Sequence, residues 1–189
     1  MQKFGYDIVK TSNDEYGKEF KSVSSDNRFD FYNTPIGNYY LPKETYSDVV
    51  ANSIRIGNVF DEAILNIAKP YIKEGSIILD IGANYGQMAI EYSKLGKDVT
   101  VYAFEAQKLV FEILQKNIEA NRANNVKPFY NAVYDVDNIQ FNFPVPDLVK
   151  FSSYGSYGLD LKSQSGIPVT SITIDSINFD RPISFMKMT

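Results

Sequence analysis

A glycine-punctuated turn and two acidic residues carry the chemistry legible in this chain. The turn lies in Leu79-Asp80-Ile81-Gly82-Ala83-Asn84-Tyr85-Gly86-Gln87-Met88, where a short apolar run passes into a bend and then a helical pattern. Gly82 and Gly86 permit a tight bend where a ligand presses close to backbone. N–H groups left free at the start of the following helix would face that ligand. The dinucleotide fingerprint needs a second glycine two positions after the first, so that backbone can approach a pyrophosphate. Asn84 stands there instead, and a P-loop ending in Gly-Lys-Ser/Thr is absent. What remains, Asp-x-Gly-x-Asn-x-Gly, suits a nucleoside without phosphates. Glu105 closes a second apolar run, Tyr102-Ala103-Phe104-Glu105, nineteen residues beyond Gly86. A carboxylate at that place accepts hydrogen bonds from both ribose hydroxyls. Asp80, beside the turn, would meet a ligand ammonium group. Together the two acids suit an adenosine that carries an amino acid.

The elements that must position these residues follow from hydrophobic periodicity. Phe60, Ala63, Ile64, Ile67 and Ala68 recur at helical spacing behind a cap at Asn58 and ahead of Pro70. Ser76 to Ile81 is a continuous apolar run, as expected of a strand buried on both faces. Met88, Ala89, Tyr92 and Leu95 stripe a helix closed by Gly96. Val99 to Phe104 predicts a second buried strand, Val110, Leu114 and Ile118 a third helix, and Pro128 to Tyr134 a third strand. Successive βα units with short connections imply a parallel sheet with right-handed crossovers. Beyond residue 136, alternation over Ile139–Phe143 and Val169–Ile174 predicts antiparallel additions, with the aromatic segment Tyr154-Gly155-Ser156-Tyr157-Gly158 as a flexible loop between them. Ile183 to Met188 predicts a further parallel strand. Residues 1–55, polar and aromatic, are expected to form strands and loops wrapped on an α/β domain spanning 56–189.

Composition narrows the chemistry. The 189 residues contain no histidine and no cysteine. Disulfides, thiolate zinc sites, histidine-ligated metals and histidine-based triads are thereby excluded, and no metal is expected. Any general base must be a carboxylate, lysine, tyrosine or water. A formal net charge of -4 makes nucleic acid a poor partner, since phosphate binding needs a basic face. No stretch approaches the roughly 20 apolar residues of a membrane span, and a cytoplasmic protein is the simplest expectation.

The turn motif, Val101-Tyr102-Ala103-Phe104-Glu105-Ala106-Gln107, the helix with Asn117 and Asn121, and Asn131-Ala132-Val133 together resemble the FkbM-type family of S-adenosylmethionine-dependent methyltransferases. Tyr157-Gly158 and Val169 to Ile177 follow in the same order, while Gly37 to Pro42, Ile56-Gly57 and Phe60-Asp61 resemble the family's lead-in. The resemblance implies a Rossmann-like class I methyltransferase fold and S-adenosylmethionine as cofactor. Asp80, Gly82, Asn84 and Gly86, with Ala83 and Gln87 in the same turn, would line its methionine side. Glu105 would hold the ribose, Ala106 and Gln107 would flank the adenine, and Asn131 and Ala132 would close its other side. The reaction implied is O-methylation of a hydroxyl on a saccharide or other small molecule.

Two positions depart from the family. Ala106 replaces the usual proline, which affects loop stiffness alone. The family's fourth strand reads Lys-x-Asp before Val-Glu-Gly and further elements, whereas here Lys187-Met188 is followed by Thr189. The C-terminal strands of the fold are therefore expected to be missing, through fragmentation, natural shortening or loss of activity. A cofactor-binding domain without turnover stays open as the alternative to an enzyme. A shortened sheet would expose an apolar strand edge, for which association with a second copy is the expected cover. No catalytic base stands out: Tyr157, Asp160 and Asp175 are candidates, each equally readable as loop or surface.

Overall fold

The alternation that begins near residue 58 becomes a four-stranded parallel sheet. The computed structural model describes residues 8–9, 19–145 and 165–189; the loop expected at 154–158, and with it Tyr157 and Asp160, lies outside them. In chain order, β1 (Ile8–Val9), β2 (Glu19–Phe20), β3 (Ser22–Ser25), β4 (Phe29–Thr34) and β5 (Gly37–Pro42) precede α1 (Val49–Arg55) and α2 (Glu62–Ala68). There follow β6 (Ile77–Ile81), α3 (Gln87–Ser93), β7 (Thr100–Phe104), α4 (Lys108–Ala120), β8 (Val126–Phe129), β9 (Ala132–Val133), β10 (Gln140–Phe143), β11 (Ile167–Ile172) and β12 (Ile183–Met188).

The central sheet has the order β12-β6-β7-β8, every pair parallel. From β6 the chain steps to β7 and β8 on one side, then returns to lay β12 on the other. Strand order thus reverses between β6 and β12, the switch point outside which α/β sheets bind ligands. This is the expected Rossmann-like fold, with antiparallel additions at β3-β4-β5 and β10-β11.

Burial on both faces explains the continuous apolar runs. In β6 every residue is buried. Ile78 joins Val101 and Ala103 in the cluster under α3 and α4. Ile77, Leu79 and Ile81 join Tyr102 and Phe104 on the opposite face. Each such side chain contributes about 1.5–3 kcal/mol on burial. Among the described residues, Ile172, Ile174, Ile177 and Phe179 pack on the second face, around a 3₁₀ turn at Ile174–Ser176.

Residues 29–42 pack onto the α/β core as a hairpin. Phe29, Tyr32, Tyr39 and Leu41 belong to the same cluster as α3 and α4. Asn117 and Asn121 of α4 accept hydrogen bonds from Tyr40 N (2.6 Å) and Asn38 N (2.9 Å). Helix α1 is not legible as a periodic stripe; it is set by the Asp48 carboxylate, which accepts from Ala51 N at 2.7 Å and satisfies a free helix-start donor.

Three boundaries differ from expectation. The strand expected at 128–134 breaks after Phe129, because Glu105 N takes the Phe129 carbonyl (3.0 Å) as β7 ends. The chain then leaves the sheet, and β9 pairs with β11 instead. Pro128 is accommodated because β8 is an edge strand. The helix expected from Asn58 begins at Asp61, and its buried residues are Leu65 and Ala68, whereas Phe60, Ala63 and Ile67 are exposed. Strand β11 stops at Ile172, where the Thr173 hydroxyl caps the 3₁₀ turn by accepting from Ser176 N. Strand β12 forms an outer edge of the sheet, with Ile183, Met186 and Met188 exposed. Among the described residues no helix is long and apolar enough to cross a membrane.

Candidate functional site

The bend after β6 lies at the switch point, and its conformation explains its composition. Gly82, Asn84 and Gly86 all have positive φ (74°, 51° and 84°), the left-handed region that glycine enters freely and asparagine tolerates. A Cβ on Gly86 would lie 2.5 Å from Leu114 Cδ1 of α4. That glycine therefore serves close packing of bend on helix rather than contact with a ligand.

Three side chains from three other elements hold the bend. Lys187 of β12 donates to Gly82 O at 3.1 Å, Asn117 of α4 donates to Tyr85 O at 2.8 Å, and Glu105 accepts from Asn84 N at 2.9 Å. Glu105 thus points at the bend. Its other oxygen accepts from Gln107 N at 2.8 Å. Burial pushes its carboxyl above the usual range, against the N–H groups of Gln107, Asn84 and Ala106, which pull it down. A carboxylate has about four acceptor sites, so these bonds leave lone pairs for further donors.

Asp80 has a different surrounding from the one expected. It is fully buried, and its ion pair is with Lys187 Nζ at 3.2 Å. Burial raises its carboxyl, with Lys187 opposing. It lies behind the bend and does not line the cavity, so its charge is answered within the protein and the expected meeting with a ligand ammonium does not follow.

A cavity of about 340 Å³ opens on the bend. Gly82, Ala83, Asn84 and Gln87 of the sequence-predicted set line it, with Lys187, Val50, Phe60 and Asp61 also in its wall beside Tyr85, Met88 and Thr189. Asn84 Oδ1 is buried there without a hydrogen-bond partner. Gln87 works at one remove: its amide accepts from Phe60 N and donates to Asn58 O, both at 2.8 Å, tying the approach to α2 onto α3. Gln107 caps α4 by accepting from Val110 N at 2.7 Å, so its side chain belongs to the helix rather than to an adenine pocket. Ala106 packs on the cluster of Ala132, Phe141, Phe143 and Val169, and Asn131 donates to Thr170 O at 3.0 Å. Asp175 is exposed in its 3₁₀ turn, away from the cavity lining. Sequence reasoning missed Asp61 and Lys187 as site residues. Both stand in stretches compared with the family, but neither has a local signal beyond a helix-start acid and a strand-end lysine.

No family model matches the chain. A curated relative, the ribosomal protein L11 methyltransferase of Acetivibrio thermocellus, is 27% identical over 79 residues, 42% of this chain and 25% of that protein. The chain thus spans about a quarter of the length of that relative. Among solved structures, the precorrin-6y C5,15-methyltransferase of Geobacter metallireducens aligns at 20% identity over 35% of this chain and 37% of that one, TM-score 0.33. TYW2 of M. jannaschii, in complex with AdoMet, aligns at 20% over 58% and 46%, TM-score 0.39. aTrm5, in complex with tRNALeu, aligns at 18% over 70% and 37%, TM-score 0.41. The fold assignment itself rests on the strand order and its switch point.

Proposed function

We propose that the chain binds S-adenosylmethionine at the bend and acts as a methyltransferase of the FkbM type, methylating a hydroxyl on a saccharide or other small molecule. The observation that carries this reading is the Glu105–Asn84 tie. It fixes a buried carboxylate beside a left-handed, glycine-flanked bend at the switch point, with unused acceptor capacity. The donor set fits an adenosyl group: Glu105 for a ribose diol, Ala106 and Ala132 as apolar surface, and the unpartnered Asn84 Oδ1 at the cavity.

When bound, the cofactor would supply an electrophilic methyl group on a sulfonium. The chain's contribution is then positioning: the bend holds the methionyl side, Glu105 the ribose, and Val50 and Phe60 keep the cavity mouth apolar. Val50 of α1 lines the cavity and would form part of the acceptor-side wall. The aTrm5 structure holds a tRNA, but the net charge of -4 here weighs toward a small acceptor. The edge of β12, unpaired among the described residues, is where a second copy would add its strand.

Calorimetry with S-adenosylhomocysteine, paired with a product assay on S-adenosylmethionine and a panel of hydroxyl acceptors, tests the reading. Heat of binding together with product is expected. Heat without product would convert the protein into a binding domain, and absence of heat would remove the cofactor altogether.

A further inference from the structure

Of the charged groups around the bend, Asp61 is the one the fold places at the cavity without giving it work to do. It occupies the N-cap position of α2, where an aspartate normally accepts from a helix-start N–H. Here the side chain makes no such bond. Among the described residues it has no ion pair or hydrogen bond, and it lines the cavity. Its placement is built rather than incidental. Gln87, from the helix that follows the bend, grips Asn58 O and Phe60 N at 2.8 Å each and so fixes the segment that presents Asp61. Proximity to the bend also shows in the field at Asp80, where Asp61 adds to the upward push that burial exerts.

Lys187 lines the same cavity from the opposite strand. Its ammonium has three donors. One bond goes to Gly82 O and the ion pair to Asp80, which leaves donor capacity on the cavity side. Among its described side chains the wall therefore carries one open carboxylate, Asp61, and one ammonium, Lys187, not paired with each other, beside a buried acceptor, Asn84 Oδ1, that lacks a donor.

We infer that Asp61 and Lys187 form a recognition pair for the α-amino acid group of the ligand, Asp61 taking its ammonium and Lys187 its carboxylate. The ammonium role thus passes from Asp80, which is sealed behind the bend, to Asp61. This rests on the adenosyl reading of the bend and gives it a specificity: the site discriminates a nucleoside that carries a zwitterionic tail from one that does not.

The test compares S-adenosylhomocysteine with 5′-methylthioadenosine, which keeps the nucleoside and sulfur but lacks the amino acid, by calorimetry on the full chain. The parent should prefer S-adenosylhomocysteine. Asp61→Asn, at a half-buried position with no internal partner, should weaken S-adenosylhomocysteine about ten- to hundredfold, the loss of one charge-assisted contact. It should leave 5′-methylthioadenosine within about twofold, which is within assay scatter on this scale. Equal weakening of both ligands would overturn the inference, since Asp61 would then act through the shape of the bend. Unchanged binding of both, with product formation lost, would also overturn it by making Asp61 a proton acceptor. If the parent binds neither nucleoside, the adenosyl reading itself fails, a different outcome from any of these. Asp61→Ala serves as second variant and should likewise cost S-adenosylhomocysteine and spare 5′-methylthioadenosine.

Discussion

Glu105→Gln separates a carboxylate kept for a ligand from one kept for the fold. The substitution preserves volume and removes the charge. In the parent, Oε1 accepts from Gln107 N and Oε2 from Asn84 N. In the variant one of these N–H groups must face an NH₂, a mismatch that costs about 1–3 kcal/mol. Against this stands the raised carboxyl of Glu105, raised because burial outweighs the donors around it. The ionised group is therefore a net burden on the folded state, and neutralising it recovers part of that burden. The two effects oppose, so stability should change by about 1 kcal/mol or less. Binding has no such offset. Two ribose hydroxyls that met a charged acceptor now meet a neutral amide with one acceptor, a loss of about 2–3 kcal/mol or about 30- to 150-fold in affinity.

The pH dependence carries opposite signs for the two readouts. With its folded value above the unfolded one (about 4.3), Glu105 contributes stability that is full below the unfolded value and lost as pH rises through the folded one. Affinity for an adenosyl ligand should instead rise over that window as the carboxylate forms. Glu105→Gln should lack both slopes, and comparison with the variant removes the parallel contribution of Asp80. Urea denaturation and calorimetry with S-adenosylhomocysteine across pH 4–7 read the two together. A variant that loses about 3 kcal/mol of stability, the full cost of the mismatch, yet binds as the parent does would refute the reasoning. Glu105 would then be a structural tie.

Gly86→Ala should destabilise by about 2–5 kcal/mol, combining the left-handed backbone penalty with overpacking against Leu114. Urea midpoints would check this, and a loss under about 1 kcal/mol would mean the bend can shift off α4. Asn117→Ala removes a fully buried amide that bonds Tyr40 N, Tyr40 O and Tyr85 O. A loss of about 2–4 kcal/mol is expected. Hydrogen exchange should quicken more in β4 and β5 than in β6 and β7, and uniform quickening would count against the local role assigned to Asn117.

The parts of the fold legible in sequence are those where one physical pattern acts alone. Strands β6 and β7 are apolar throughout because both faces are covered, and Val110, Leu114 and Ile118 face the core as their spacing requires. The bend was legible because Gly82 and Gly86 have few conformational substitutes. Helix α1 was not, since Asp48 and two buried apolar residues, Ala51 and Ile54, define it in fewer turns than a stripe needs. The exit of the chain after Phe129 was hidden because it depends on where β7 ends, a fact about another strand. That Asp80 is sealed was hidden for a related reason. Its ion pair is with Lys187, more than a hundred residues away, and no local spacing encodes that.

Glu105, Asn117 and Lys187 touch three different groups of the same bend: an amide N–H at Asn84 and carbonyls at Tyr85 and Gly82. They come from β7's end, α4 and β12, elements whose mutual placement is fixed by the sheet and its core. A loop carrying three left-handed residues would ordinarily be mobile, since each such residue is easily lost to other conformations. Here the backbone groups that would pair with water in an open loop are already paired with rigid elements. The bend thus reaches its shape during folding, and on the proposed reading association has less ordering to overcome. The arrangement also makes site and fold hard to separate by mutation. Variants at these three side chains therefore need a stability measurement beside the binding one, whereas Asp61 lies on the cavity wall outside this clamp.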